Sequence, residues 1–259
     1  SSGNGHGAAI GPPRAGRPRY PSPATDKGLR MAGRSDEMGP ARLTGLMLVG
    51  CGAASVGLLA AHPGDDGPPL LAAVLRREAA QALPDALVHG GFVLVLMLEL
   101  IGFAALAARS GPWRTPVIAA MVFALAGSGL LGASMILDGL VTPALAGHYA
   151  AMTPDRQEPA RALFALIGAA IRALMPGGLG FLGASSLAWA AALPPGAGRG
   201  RVGGLVALGC GVIAIVAVGM GLQSLGMIAL MVALLASAAW AVTAGLLLAA
   251  WRPPQAAAS

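Results

Sequence analysis

Apolar positions along this chain gather into long unbroken runs instead of the alternating or one-sided patterns of a water-soluble fold. Six runs stand out, at approximately 43–61, 86–108, 115–138, 172–193, 202–222 and 226–250. Each is close to the roughly 20 residues that an α-helix needs to cross a hydrocarbon core of about 30 Å. The pattern predicts an all-α integral membrane bundle of six transmembrane helices. The first run follows Arg42 and ends in Leu59-Ala60-Ala61, which invites comparison with a signal peptide, but its length favours an uncleaved span. The apolar stretch from Ala160 is interrupted by Arg172 and by Met175-Pro176-Gly177-Gly178. Its first third is expected to be an interfacial helix and the rest the fourth span, the alternative being one long helix kinked at Pro176.

Between the first two runs the period changes. From Pro69 to Leu83, Leu70, Leu71, Val74, Leu75 and Leu83 recur at helical spacing, while Arg76, Arg77 and Glu78 gather on the other side. This predicts a short amphipathic helix lying on the membrane surface. Residues 1–40 have no apolar periodicity and are rich in Gly, Pro, Ser and Arg, so they are expected to form a disordered cytoplasmic tail. Met31 and Met38 are candidate starts within it. The expected organisation is therefore this tail, a transmembrane domain over 41–252, and a short tail over 253–259.

Composition agrees with the pattern and adds an orientation. The chain is 56% hydrophobic and only 11% charged, too apolar for a soluble domain of its size. Sixteen Arg against one Lys, with abundant Ala, Gly and Pro, suggest a GC-rich bacterial genome and hence a bacterial inner membrane. The net charge of +6 is not accompanied by a basic patch with interleaved aromatics, so nucleic acid is not an expected partner. Most basic residues, among them Arg42, Arg109, Arg114, Arg199, Arg201 and Arg252, fall on one side if the N-terminus is inside. The other side holds Arg76, Arg77, Arg156 and Arg161 beside Asp65, Asp66, Glu78, Asp85, Asp155 and Glu158. Basic residues are retained in cytoplasmic loops, so both termini are expected in the cytoplasm. Trp113, Trp189 and Trp251 then fall near inner helix ends, as an interfacial aromatic belt would.

Small residues four apart predict close helix contacts: Gly50 with Ala54 and Ala53 with Gly57, Ser128 with Gly132 and Gly129 with Ala133, and Gly203, Ala207 and Gly211. The short connections after the second and fourth runs predict antiparallel hairpins. Besides the bilayer, a second copy of the chain is a candidate partner.

Polar residues inside or bordering the runs carry the candidate chemistry. Glu99 falls near the middle of the second run, where an ionisable group is either a proton or cation site or a protonated acid bonded to Ser128, Ser185 or Thr243. His62, His89, Asp138, His148 and Arg172 gather at the opposite face from the termini. Neutral imidazoles with a carboxylate suit Zn, Cu or Fe, so His62, His89 and His148 are candidate metal ligands with Asp138. The structural alternative pairs Asp138 with Arg172. Cys51 and Cys210 fall in apolar runs at equal depth and are expected to pack as small apolar side chains. Met220, Met227 and Met231 offer soft copper ligands or plain packing. No HExxH, GxSxG or phosphate-binding glycine loop is present, which disfavours an enzyme, and nothing in the sequence requires a cofactor.

The helix ending in His62-Pro63, the outer loop, His89 opening the second run and Asp138-Gly139 closing the third make residues 41–150 resemble small bacterial polytopic membrane proteins to which no activity is assigned. Haem would need paired His facing each other at matched depth, and only His89 falls within a run. Two functions are left in view: a small transporter using Glu99, and a membrane-embedded binding or sensing module using the His and acidic residues. A water-filled path to Glu99 would favour the first, and convergence of the His residues to ligand distance the second.

Overall fold

The computed structural model describes residues 39–62, 70–193, 198–221 and 226–251. The tail ending at Met38, the segment from Pro63 to Pro69 and the stretch 252–259 lie outside the described residues. The described chain is helical throughout: α1 Pro40–Ala60, α2 Leu71–Ala80, α3 Ala82–Ser110, α4 Thr115–Ile136, α5 Thr142–Ala150, α6 Pro154–Ala192, α7 Arg199–Met220 and α8 Gly226–Ala249. A π-helical turn over Leu137–Val141 joins α4 to α5 without a break. Among the described residues six helices are long and apolar enough to cross a membrane: α1, α3, the α4–α5 rod, α6, α7 and α8. The chain is a multi-pass membrane protein.

Helix α3 shows why water is the wrong solvent for this bundle. His89, Phe92, Leu96, Glu99 and Phe103 are buried along one face, whereas Leu87, Leu94 and Ile101, seven apart on the other, are each more than half exposed. Large aliphatic residues point outward and the ionisable ones inward, the arrangement that a hydrocarbon solvent selects. The spans form a closed ring in chain order, each packing on its sequence neighbours, with α8 returning to α1. Helices α3 with α4 and α6 with α7 are the hairpins expected from their short connections.

Association inside lipid depends on backbone approach, and the structure relocates the faces that provide it. A Cβ at Gly45 would overlap the backbone of Gly245 and Ala249, and one at Gly245 the carbonyl of Gly45, which seals α1 on α8. Gly127 of α4 and Gly178 of α6 meet in the same way, as do Gly183 of α6 and Gly211 of α7. Gly203 and Gly211 thus lie at contacts as expected, but Gly50, Gly57, Gly129 and Gly132 face open space. Spacing alone identified the motif without showing which side of the helix meets a neighbour.

Two further expectations are corrected. Helix α6 is one continuous 39-residue helix with Pro159 and Pro176 inside it, with no separate interfacial helix over its first third. At 1.5 Å per residue it is about 58 Å long, nearly twice the hydrocarbon thickness, so dividing the sequence at the span length cut a helix that continues beyond the bilayer. Trp189 is fully buried and packs against Phe103 and Trp240, with ring centroids 6.5 Å apart in both cases, so it belongs to the core and not to an aromatic belt. Trp113 is 89% exposed at the turn between α3 and α4.

Candidate metal site in the distal cavity

The end of the bundle opposite Pro40 and Trp251, here the distal end, is built from the close of α1, the start of α3, the π turn and the first half of α6. The amphipathic segment predicted near Pro69–Leu83 is helical as α2. Its Leu75 packs with Ala146 of α5 and Ala160 of α6 in a small second core. Gln157 at the start of α6 donates its amide to the carbonyls of Met152 (3.0 Å) and Tyr149 (3.3 Å), tying the α5–α6 turn together. Arg77 and Glu78, expected on the solvent side, instead turn inward as a 2.7 Å ion pair and line a cavity, while Arg76 is exposed. Helix α2 packs mainly on α5 and only touches α3 and α6.

That cavity encloses about 490 Å³. Its lining carries His62, Arg77, Glu78, Asp85, His89 and Asp138, together with apolar residues such as Phe92, Leu131, Leu179, Leu230 and Leu234. Met135, Met175, Met227 and Met231 also face it.

His62, His89 and Asp138 converge in this lining. Their ligand atoms all lie within 4.8 Å of one another. The rings of His62 and His89 are 5.0 Å apart and edge-on. His89 is buried, with Nδ1 2.9 Å from the carbonyl oxygen of Asp85 and Nε2 3.1 Å from Oδ2 of Asp138. The carbonyl can only accept, so Nδ1 carries the hydrogen and donates it. A neutral imidazole then turns the lone pair of Nε2 toward a carboxylate oxygen, and two acceptors face each other unless a cation lies between them. A proton or a metal ion fills that role.

The backbone is shaped to hold this pair. Pro143 has no N–H to give the carbonyl of Gly139, and the helix passes this point through the wider π turn. Thr142 Oγ1 donates to the carbonyl of Leu137 at 2.9 Å, satisfying an acceptor within the turn. A side chain at Gly139 would overlap the Cβ and ring of His89, so the imidazole packs directly on the backbone of the π turn. The expectation that Asp138-Gly139 closes a helix is thereby revised: the pair marks a π turn within a helical rod that runs on to Ala150.

The other candidate residues are placed elsewhere. His148 is exposed on α5 with its ring against Tyr149, outside the converging group. Arg172 is exposed on α6 with its guanidinium near Gly168, and the described ion-pair partner of Asp138 is His89. Glu99 is buried at 7% exposure in the bundle interior, within electrostatic reach of Cys51, and does not line the cavity. Among the described residues no hydrogen bond reaches its carboxyl. Ser185 donates to the carbonyl of Ala120 and Thr243 to that of Ala239. Cys51 and Cys210 are buried free thiols on α1 and α7, which α8 packs between.

Asp85, Arg77 and Glu78 were not anticipated as parts of the site. For Asp85 a signal existed, since it stands four residues before His89 and therefore on the same helix face. The chain matches no family model, no curated protein and no solved structure.

Proposed function

We propose that the protein is a membrane-embedded binding module that takes up a divalent transition-metal ion through His62, His89 and Asp138. The observation that carries this reading is the placing of the His89 ring: Nδ1 lies 2.9 Å from the Asp85 carbonyl oxygen, and Nε2 faces a carboxylate oxygen at 3.1 Å. Donors bonded to a tetrahedral ion at about 2.0–2.2 Å stand roughly 3.3 Å apart. The pair thus already has nearly the spacing that a shared ion imposes, and His62 closes on it by a small movement. The carbonyl of Asp85 acts as the outer partner that fixes ring orientation in metal-binding histidines. Two imidazoles and one carboxylate suit Zn²⁺ or Fe²⁺, whereas Mg²⁺ and Ca²⁺ favour oxygen-only sets. Calorimetric titration of the purified chain with Zn²⁺ tests the reading. One ion is expected per chain, with binding lost in both His89→Ala and Asp138→Ala, and equal binding in these variants refutes it.

The Arg asymmetry supports an orientation with both termini in the cytoplasm and the cavity on the outer side of a bacterial inner membrane. A second reading, a small transporter with a proton or cation relay, is favoured by one observation, the burial of Glu99 without a hydrogen-bond partner among the described residues. It is the weaker of the two because the cavity does not extend to Glu99.

A further inference from the structure

We propose that the ion keeps one coordination position open toward the cavity and there holds the oxygen-donor head of an amphipathic molecule whose apolar tail fills the cavity's depth. The inference rests on the metal reading above. Three protein donors leave a tetrahedral ion one position short, the arrangement of sites that exchange ligands and not of closed structural ones. A cavity of about 490 Å³ is some sixteen times the roughly 30 Å³ that one water occupies, far more than an ion and its water need. It falls within the range of about 300–1,000 Å³ typical of organic-ligand pockets.

Every polar residue of the lining stands toward the distal end, there among Leu59, Val74 and Phe164, and the lining nearer the bundle interior is apolar throughout, as an amphipathic occupant requires. His89 on α3 and Asp138 and Thr142 in and beside the π turn supply polar groups, while toward the bundle interior Phe92 follows His89 by three residues, Leu131 precedes Asp138 by seven, and Leu179 faces them from α6. Met135, Met175 and Met231 add unbranched, polarizable walls that adapt to chains of different shape. A fully polar substrate would leave these walls unsatisfied, and a fully apolar one would leave the polar groups without a partner. The class that fits both ends is a single-chain molecule with a carbonyl, carboxylate or hydroxamate head.

The test uses the full chain loaded with Co²⁺, whose visible absorption reports on coordination, titrated with acetohydroxamate and with octanohydroxamate. Both share the chelating head and differ in the tail. Octanohydroxamate is expected to bind on the order of 100-fold more tightly, a conservative reading of the gain per buried methylene. Leu179→Trp, or Met231→Trp at a more exposed position, narrows the cavity and should abolish the preference while the spectrum of bound Co²⁺ is retained. Equal affinities for the two hydroxamates overturn the inference and leave the metal site standing. A preference that persists in both cavity-filling variants also overturns it, because the tail is then in the micelle. Failure to bind Co²⁺ at all removes the metal reading together with the inference.

Discussion

His89 on α3 and Asp138 in the π turn, 49 positions apart in the chain, meet through Nε2 and Oδ2 at 3.1 Å across two transmembrane rods. Because the opposite ring nitrogen already donates to the Asp85 carbonyl, the contact requires a cation between its acceptors, and a proton competes with a metal ion for that place. Metal binding should therefore release about one proton and weaken as pH falls. Zn²⁺ titrations in buffers of differing ionisation enthalpy measure the release, and pH-independent affinity without proton release would contradict the shared-cation geometry.

The contact between Gly139 and the His89 ring yields a second prediction. A methyl group at 139 has no space, so Gly139→Ala must shift either the imidazole or the π turn. Overpacking of this kind costs about 1–3 kcal/mol, and here it should also lower metal affinity. Gly129→Ala, ten residues earlier on α4 where a Cβ meets nothing within 4 Å, should match or slightly exceed wild-type stability. Thermal unfolding of the two variants with and without Zn²⁺ separates the effects. Equal behaviour would show that the close approach at Gly139 is not limiting.

How much of this was legible follows from what each feature depends on. The spans were readable because hydrocarbon solvent imposes a length and a composition on every helix, and α3 obeys both. That His62, His89 and Asp138 share one end of the bundle followed from topology alone. Which of them touch did not, because it depends on the π turn, and the sequence carried only its local cause, Gly139 followed by Pro143. Asp85 escaped notice because it serves the site through its backbone carbonyl, which residue type does not reveal. The glycine contacts failed for a related reason: small residues four apart occur on several faces of an Ala- and Gly-rich helix, and only the neighbouring helix decides that Gly45 and Gly127 are covered while Gly50 and Gly129 are open.

Helix crossing gives a third prediction. Gly178 lies against the Gly127 carbonyl and the backbone of Leu131, whereas Gly180 on the same helix has nothing within 4 Å of a Cβ. Gly178→Leu should force α4 and α6 apart and cost upward of about 1–3 kcal/mol, while Gly180→Leu should be tolerated. Size-exclusion profiles after heating in detergent rank the two. The reverse order would mean that this crossing does not hold the bundle together.

Orientation supplies a fourth. With the basic residues near Arg42, Arg109, Arg114, Arg199 and Arg201 inside, reporters inserted at Gly196 and at Gly67 should read cytoplasmic and external respectively. Placement of both on one side would change the number of crossings, and an exchange of the two would put the metal site in the cytoplasm.

The last prediction separates Glu99 from the distal site. Glu99 stands ten residues beyond His89 on the same helix, about 15 Å along its axis, and does not line the cavity. Glu99→Gln keeps size and hydrogen-bonding capacity, and Glu99→Leu removes polarity altogether. Were the carboxyl a bond between helices, only the Leu variant would destabilise the bundle, by about 0.6–2 kcal/mol for an interhelical hydrogen bond in a membrane. Among the described residues no hydrogen bond joins the carboxyl to Ser128, Ser185 or Thr243, and the last two donate their hydroxyl hydrogens to carbonyls of α4 and α8. Both variants are therefore expected to unfold at or above the wild-type temperature and to bind Zn²⁺ unchanged. Loss of stability in Glu99→Leu alone would restore the role of interhelical bond. If the carboxyl carries protons, the same two variants in proteoliposomes should lose any pH-driven flux of the wild type while remaining folded. A wild type without flux would leave Glu99 with no transport role, and weakened Zn²⁺ binding in Glu99→Gln would show that the two sites are coupled through α3 after all.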